Sequence, residues 1–205
     1  MKVTFVVMDC YDESTFERCM QSIALQSMQD YEVLAVGMRD AQQITAHGIT
    51  ARYLPCLDNV QDMLETALDA AQGEHVCFID SVHCFSPFFA EKMTEMCADG
   101  ADMAGCGWTG VQWDTPLEQV GVPLMLYRPQ TVTAEEFMQM LTAADTDSME
   151  KHNFFENKLY RRSLLEKCRA LATDDTVETG IVQKLAQNCE KVAVTDEPLL
   201  FVCIE

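Results

Sequence analysis

The chain has 205 residues with a hydrophobic fraction of 48%, enough for one domain with a sizeable buried core and too apolar for an unfolded chain. Its 33 acidic residues outweigh 14 basic ones, for a formal net charge of -19, which repels phosphate backbones and anionic membrane surfaces unless basic residues cluster and argues against nucleic acid as a partner. No stretch is long and apolar enough to span a bilayer, and residues 1–8 lead into a strand pattern without a cleavable signal. Ten cysteines without a Cys-x-x-Cys pair read as reduced, mostly buried thiols, which implies a reducing compartment and a cytoplasmic protein.

Residues 2–8, Lys-Val-Thr-Phe-Val-Val-Met, form a β-branched run suited to a strand buried on both faces. Ser14 and Glu17 make a capping-box pair, after which Phe16, Cys19, Met20, Ile23 and Ala24 recur at helical spacing. Residues 32–36 predict a second strand and residues 52–54 a third after the turn near Gly48. Asp58 or Asn59 caps a predicted helix through Met63, Leu64, Ala67, Leu68 and Ala71, with Gly73 at its C′ position. A strand over residues 76–79 follows. Ser86 and Pro87 then open a helix that Gly100 stops, before a strand over residues 103–106. This alternation predicts a mostly parallel central sheet flanked by helices.

After Gly107 the texture changes. Residues 107–123 are turn-rich and hold both tryptophans, and residues 122–127 suit a strand. Thr133 and Glu136 form a second capping box, and residues 161–171 and 176–188 read as helices. Lys158, Arg161, Arg162 and Lys167 read as a solvated helix face. Residues 192–194 and 199–203 predict closing strands around an Asp196-Glu197-Pro198 turn. The spacing Gly105-x-Gly107-x-x-Gly110 matches a dinucleotide fingerprint, but no amphipathic helix follows it. The four histidines are dispersed and offer no spaced metal pair.

The segment from Gly73 to His83 carries the strongest functional signal, because an apolar strand there ends in Asp80 and opens into a polar loop. Ligands of open α/β sheets gather at the carboxyl ends of strands. This segment resembles the Gly-Glu-Tyr-Ile and Phe-Leu-Asp-Ser-Asp-Asp pattern of the family 2 glycosyltransferases. The likeness continues in Cys19-Met20-Gln21-Ser22-Ile23-Ala24-Leu25-Gln26-Ser27, in Tyr31-Glu32-Val33-Leu34, in Asn157-Lys158-Leu159-Tyr160-Arg161-Arg162-Ser163-Leu164-Leu165, and in the closing Asp196-Glu197-Pro198-Leu199. The resemblance implies an α/β fold of the GT-A type, as one domain over residues 1–205. Residues 1–107 would be the nucleotide side and residues 108–205 a helical acceptor side with closing strands.

The same resemblance implies transfer of a sugar from a nucleotide-sugar donor to a glycan, lipid or protein acceptor. Asp9, Asp40 and Asp80 would contact the nucleotide-sugar. Asp80 with His83 would hold manganese or magnesium, and Glu178 or Asp175 would serve as general base. Several family positions differ. The usual Val-Asp-Asp-Gly-Ser turn reads Val36-Gly37-Met38-Arg39-Asp40, the Ala-Arg-Asn register reads Met63-Leu64-Glu65, and two acids after Asp80 are replaced by Val82 and His83. A hard divalent cation needs two or more oxygen ligands, and Val82 offers none. The alternative reading is a non-catalytic domain of this fold acting as a binding or regulatory partner. The chain ends at Glu205 just after the closing strand, which leaves room for a partner chain to complete the site.

Overall fold

Val3–Met8 (β1) is buried along its whole length, which requires apolar side chains on both faces of the strand. In the computed structural model, which describes residues 2–8, 12–37, 43–56, 60–120, 126–142, 154–169 and 178–204, the two faces of β1 enter two different cores. Val3, Phe5 and Val7 pack with Phe16, Met20 and Ile23 of Glu13–Ala24 (α1) and with Phe89 and Met93 of Phe89–Cys97 (α3). Val6 and Met8 pack on the other side, among residues of Val60–Ala70 (α2), Ala134–Thr142 (α4), Arg162–Cys168 (α5) and Glu178–Ala186 (α6). The period of two along β1 therefore sorts the helices into two layers around one sheet.

The remaining strands are Tyr31–Gly37 (β2), Gln43–Ala46 (β3), Ile49–Pro55 (β4), His75–Asp80 (β5), Cys84–Phe85 (β6), Met103–Gln112 (β7), Gln130–Thr133 (β8), Lys158–Arg161 (β9) and Lys191–Ile204 (β10). Among the described residues the sheet runs β3-β4-β2-β1-β5-β9-β7-β10-β6, with β8 also on β10. Strands β4, β2, β1 and β5 are parallel, as are β7 and β10. Antiparallel β9 joins these two parallel groups by pairing with β5 and β7. The expected central sheet flanked by helices is present, and it is mixed, with β3 antiparallel to β4 at one edge and β6, β8 and β9 antiparallel in the second half.

Several local expectations shift. The α1 cap is Asp12, whose carboxylate accepts from Ser14 N and Thr15 N, in place of the Ser14 box. The helix after Ser86 begins at Phe89. Gly73 lies beyond the end of α2, pressed against β1: a Cβ there would stand 2.6 Å from Thr4 N. The Thr133 box at α4 is as expected, with Thr133 N donating to Glu136 Oε2 and Glu136 N donating to Thr133 Oγ1. The closing strands form one bent strand, β10, whose register against β7 shifts on both sides of Pro198. Lys158 is no part of a solvated face: it is fully buried in β9. Asp58, Asn59 and most of the expected strand over residues 122–127 lie outside the described residues.

Candidate functional site

The parallel strands β1, β2 and β5 end side by side at Met8, Gly37 and Asp80, with Met8 in register with both Val36 and Asp80. Asp80 is half-buried at this edge, and its turn is fixed locally. Its Oδ1 accepts from Val82 N at 3.0 Å, its carbonyl accepts from His83 N at 3.0 Å, and Ser81 N donates to Met8 O at 3.1 Å. An Asx turn of this kind pre-sets the carboxylate without help from other elements. Val82 is 40% exposed at the tip of the turn.

His83 turns inward, and its Nε2 lies 3.8 Å from Glu156 Oε2, with side chains only 15% and 7% exposed. Burial holds the imidazole below its ordinary pKa, against the opposing pull of the Asp80 charge. At neutral pH the ring is therefore uncharged, and 3.8 Å is too long for a hydrogen bond. The pair is a close polar contact and no ion pair.

Glu156 reaches this place on a loop over residues 154–157 that is tied to β7. Asn157 Nδ2 donates to Cys106 O at 2.6 Å and Cys106 N donates to Asn157 O at 3.0 Å. From the other side, Lys158 Nζ donates to Phe154 O at 2.7 Å and to Asn157 Oδ1. Gly105 makes room for this lysine, since a Cβ there would lie 3.3 Å from its Cδ. Complete burial holds the Lys158 ammonium down at about 7, with the Cys106 thiol as a lesser, opposite influence. Tyr160 OH closes the loop by donating to Phe155 O at 2.9 Å.

An ion pair lies where β10 bends. Glu197 pairs with Lys92 of α3, and the bend fits over Gly107, where a Cβ would meet Asp196 O at 2.5 Å. A cavity of about 80 Å³ opens between α2, α5 and α6, lined by Leu64, Leu68, Phe78, Phe155, Leu165 and Leu185 among others. Glu65 borders it, with its Oε1 accepting from Gln61 Nε2.

Asp80 and His83 thus share one turn, but they point to different partners. Glu178 is the first residue of α6, while Asp9, Asp40 and Asp175 lie outside the described residues. Among the described residues no three His, Cys, Asp or Glu side chains stand together to hold a metal ion. Sequence reasoning missed Glu156 and the burial of Lys158. Both flank Asn157 in the Asn-Lys-Leu-Tyr motif, so the motif itself was the available signal.

Residues 5–169 match the pattern of Glycosyl transferase family 2. The chain belongs to that family. EpsH of Bacillus subtilis (strain 168), a glycosyltransferase by name, is 26% identical over 171 residues, covering 78% of this chain and 47% of EpsH. S. aureus TarS 1–349 superposes with a TM-score of 0.70 at 17% identity, over 99% of this chain and 60% of that one. The mannosyltransferase PcManGT of Pyrobaculum calidifontis, solved with GDP-Man and Mn2+, gives 0.66 at 15% identity, over 100% of this chain and 57% of that one. These structures show the GT-A fold for this family 2 chain, which spans about half the length of EpsH and less than two thirds of the TarS fragment.

Proposed function

We propose that this chain binds a nucleoside-diphosphate sugar at the carboxyl edge of β1, β2 and β5 and serves in sugar transfer to a glycan, lipid or protein acceptor. The observation that carries this reading is the placement of Asp80, preset by its own turn at the meeting point of three parallel strand ends. Asp9 and Asp40 would join it from the ends of β1 and β2, with residues 1–107 as the nucleotide side and residues 108–205 as the acceptor side. TarS 1–349 has been solved with UDP and with UDP-GlcNAc, which supports a donor of this class. Glu178 at the start of α6, or Asp175 just before it, is the candidate base for the acceptor hydroxyl.

Among the described residues, Asp80 with His83 is the pair that would hold manganese or magnesium, and the two fit such an ion poorly. Asp80 Oδ1 already accepts from Val82 N, and His83 Nε2 faces Glu156. No step is therefore assigned to a metal. The same observation favours a second reading, a non-catalytic partner or regulatory subunit that retains the donor cleft. The described cysteines form no disulfide, which supports a reducing, cytoplasmic setting, and no described helix is long and apolar enough to cross a membrane.

Calorimetric titration with UDP- and GDP-sugars, with and without Mn2+, tests the proposal. Binding that weakens at least tenfold in Asp80→Ala is the expected result. Absence of binding at millimolar donor overturns the donor-site reading, and donor binding without transfer to any acceptor class selects the non-catalytic one.

A further inference from the structure

Cys84 of β6 and Cys203 of β10 face one another on neighbouring antiparallel strands, and no part of the proposed donor chemistry uses them. Phe201 is in register with Cys84, so Cys203, two residues on, projects from the same sheet face as a diagonal neighbour. Their sulfur atoms lie 4.0 Å apart. A disulfide needs about 2.05 Å between sulfurs and about 3.5–4.5 Å between Cβ atoms, closer than diagonal neighbours on a sheet ordinarily stand, so closing the bond requires the backbone of the two-residue β6 to move toward β10. Both side chains belong to a small cluster with Val111, Leu117 and Phe201, at the end of the sheet.

The two thiols differ in the way a reactive pair requires. Cys203 is half-buried, whereas Cys84 is 1% exposed. Cys84 and Cys203 share a hydrogen bond in which either sulfur can donate, and the Arg18 guanidinium stands beside the Cys203 sulfur, which together hold the Cys203 thiol below its ordinary pKa. Cys84 is pushed the other way by that shared hydrogen bond and by burial. Arg18 is itself held in place, with one nitrogen donating to Thr115 O at 2.7 Å and its carbon 5.4 Å from the Trp113 ring centroid. A thiolate next to a fixed cation, with a second thiol in reach, is the arrangement of a redox-responsive cysteine pair.

We propose that Cys203 and Cys84 form a reversible dithiol switch that reacts with low-molecular-weight disulfides. The Cys203 thiolate attacks one sulfur of the small disulfide, forming a mixed disulfide and releasing one small thiolate. Cys84, giving up its proton to that thiolate, then attacks the Cys203 sulfur and releases the second small thiolate, which takes from solvent the proton that Cys203 had lost. The two cysteines are oxidised and one small disulfide is reduced to two thiols, with atoms and electrons balanced. The new bond would fasten β6, which directly follows the turn of Asp80 and His83, to the closing strand. The switch stands whether or not the site transfers sugar.

The folded chain is equilibrated in buffers of oxidised and reduced glutathione, quenched with acid, alkylated and mapped by mass spectrometry. The expected result is a Cys84–Cys203 bond that reverses with excess reduced glutathione. A brief iodoacetamide pulse on the reduced protein should label Cys203 at least tenfold faster than Cys84, and Arg18→Met should slow that labelling several-fold. Cys84→Ser should stop at the glutathione adduct on Cys203, which keeps the test decisive if oxidation distorts the fold. Failure of Cys203 to react at a poise as oxidising as about -180 mV, a stable glutathione adduct in the wild type, or a bond from Cys84 to Cys19 each overturns the proposal.

Discussion

Replacing Lys158 by Met tests the buried ammonium directly. The lysine is fully buried and held at about 7 in place of an ordinary 10.5, so its charged form is disfavoured by about 5 kcal/mol, at 1.36 kcal/mol per tenfold. In the unfolded chain the amine keeps its proton throughout pH 7.0 to 8.5, whereas in the fold it loses the proton across that range. The unfolded state therefore binds more protons, and stability rises with pH. Integrated over this window, Lys158 alone makes the protein about 1–2 kcal/mol more stable at pH 8.5 than at pH 7.0. His75 and His83, held low by burial, and the buried thiols contribute equally to both proteins and cancel in the comparison. With a urea slope of about 2 kcal/mol/M, the wild-type midpoint should rise by about 0.5–1 M between the two pH values, and the Lys158→Met midpoint should not show this rise. The assay is urea unfolding followed by far-UV circular dichroism at both pH values. Equal shifts in the two proteins would mean that Lys158 keeps its proton in the fold, and the reasoning from burial would fail.

Gly107→Ala should lower the melting temperature by about 3–10 °C, from about 1–3 kcal/mol of overpacking. The added Cβ would meet Asp196 O at 2.5 Å and its carbonyl carbon at 3.0 Å; an unchanged calorimetric transition would show that the bend of β10 does not rest on β7. Tyr160→Phe should cost about 1–2 kcal/mol in urea unfolding, because the buried Phe155 carbonyl loses its 2.9 Å donor. A neutral result would mean that this carbonyl finds another donor.

The parts of the fold legible in the sequence are those where one physical rule acts alone. β1 is buried on both faces, so it reads as an unbroken apolar run, and the Thr133 box at α4 is a local hydrogen-bond pattern. Where two rules compete, the reading moved. Pro198 lacks an N–H and suggested a turn between two strands, yet a proline fits within a strand where the ladder slips, and the β10 register shifts on both sides of it. Edge strand β3 alternates exposed and half-buried residues, too weak a pattern to separate from a loop. Lys158 and Arg161 looked like one cationic face because charge is read locally, whereas burial is set by β7 across the sheet. Asp80 was found because the end of a strand is visible in sequence. Glu156 was not, because its approach to His83 depends on how the loop over residues 154–157 is tied to Cys106.

These contacts also decide what a titration with and without manganese reports. A divalent cation shared with a diphosphate needs several oxygen ligands, while one Asp80 oxygen is engaged by Val82 N and Glu156, beside His83, is buried against a neutral imidazole. Any gain in donor affinity from manganese must then come mainly from the diphosphate and from acids beyond this turn. Restoring an oxygen at the tip of the turn by Val82→Asp changes that balance without disturbing a buried residue, since Val82 is 40% exposed. A larger manganese effect on donor affinity in Val82→Asp than in the wild type would trace the weak metal chemistry to this position. An equal effect would place the ligands elsewhere and remove the turn from the account of how charge is balanced at the donor.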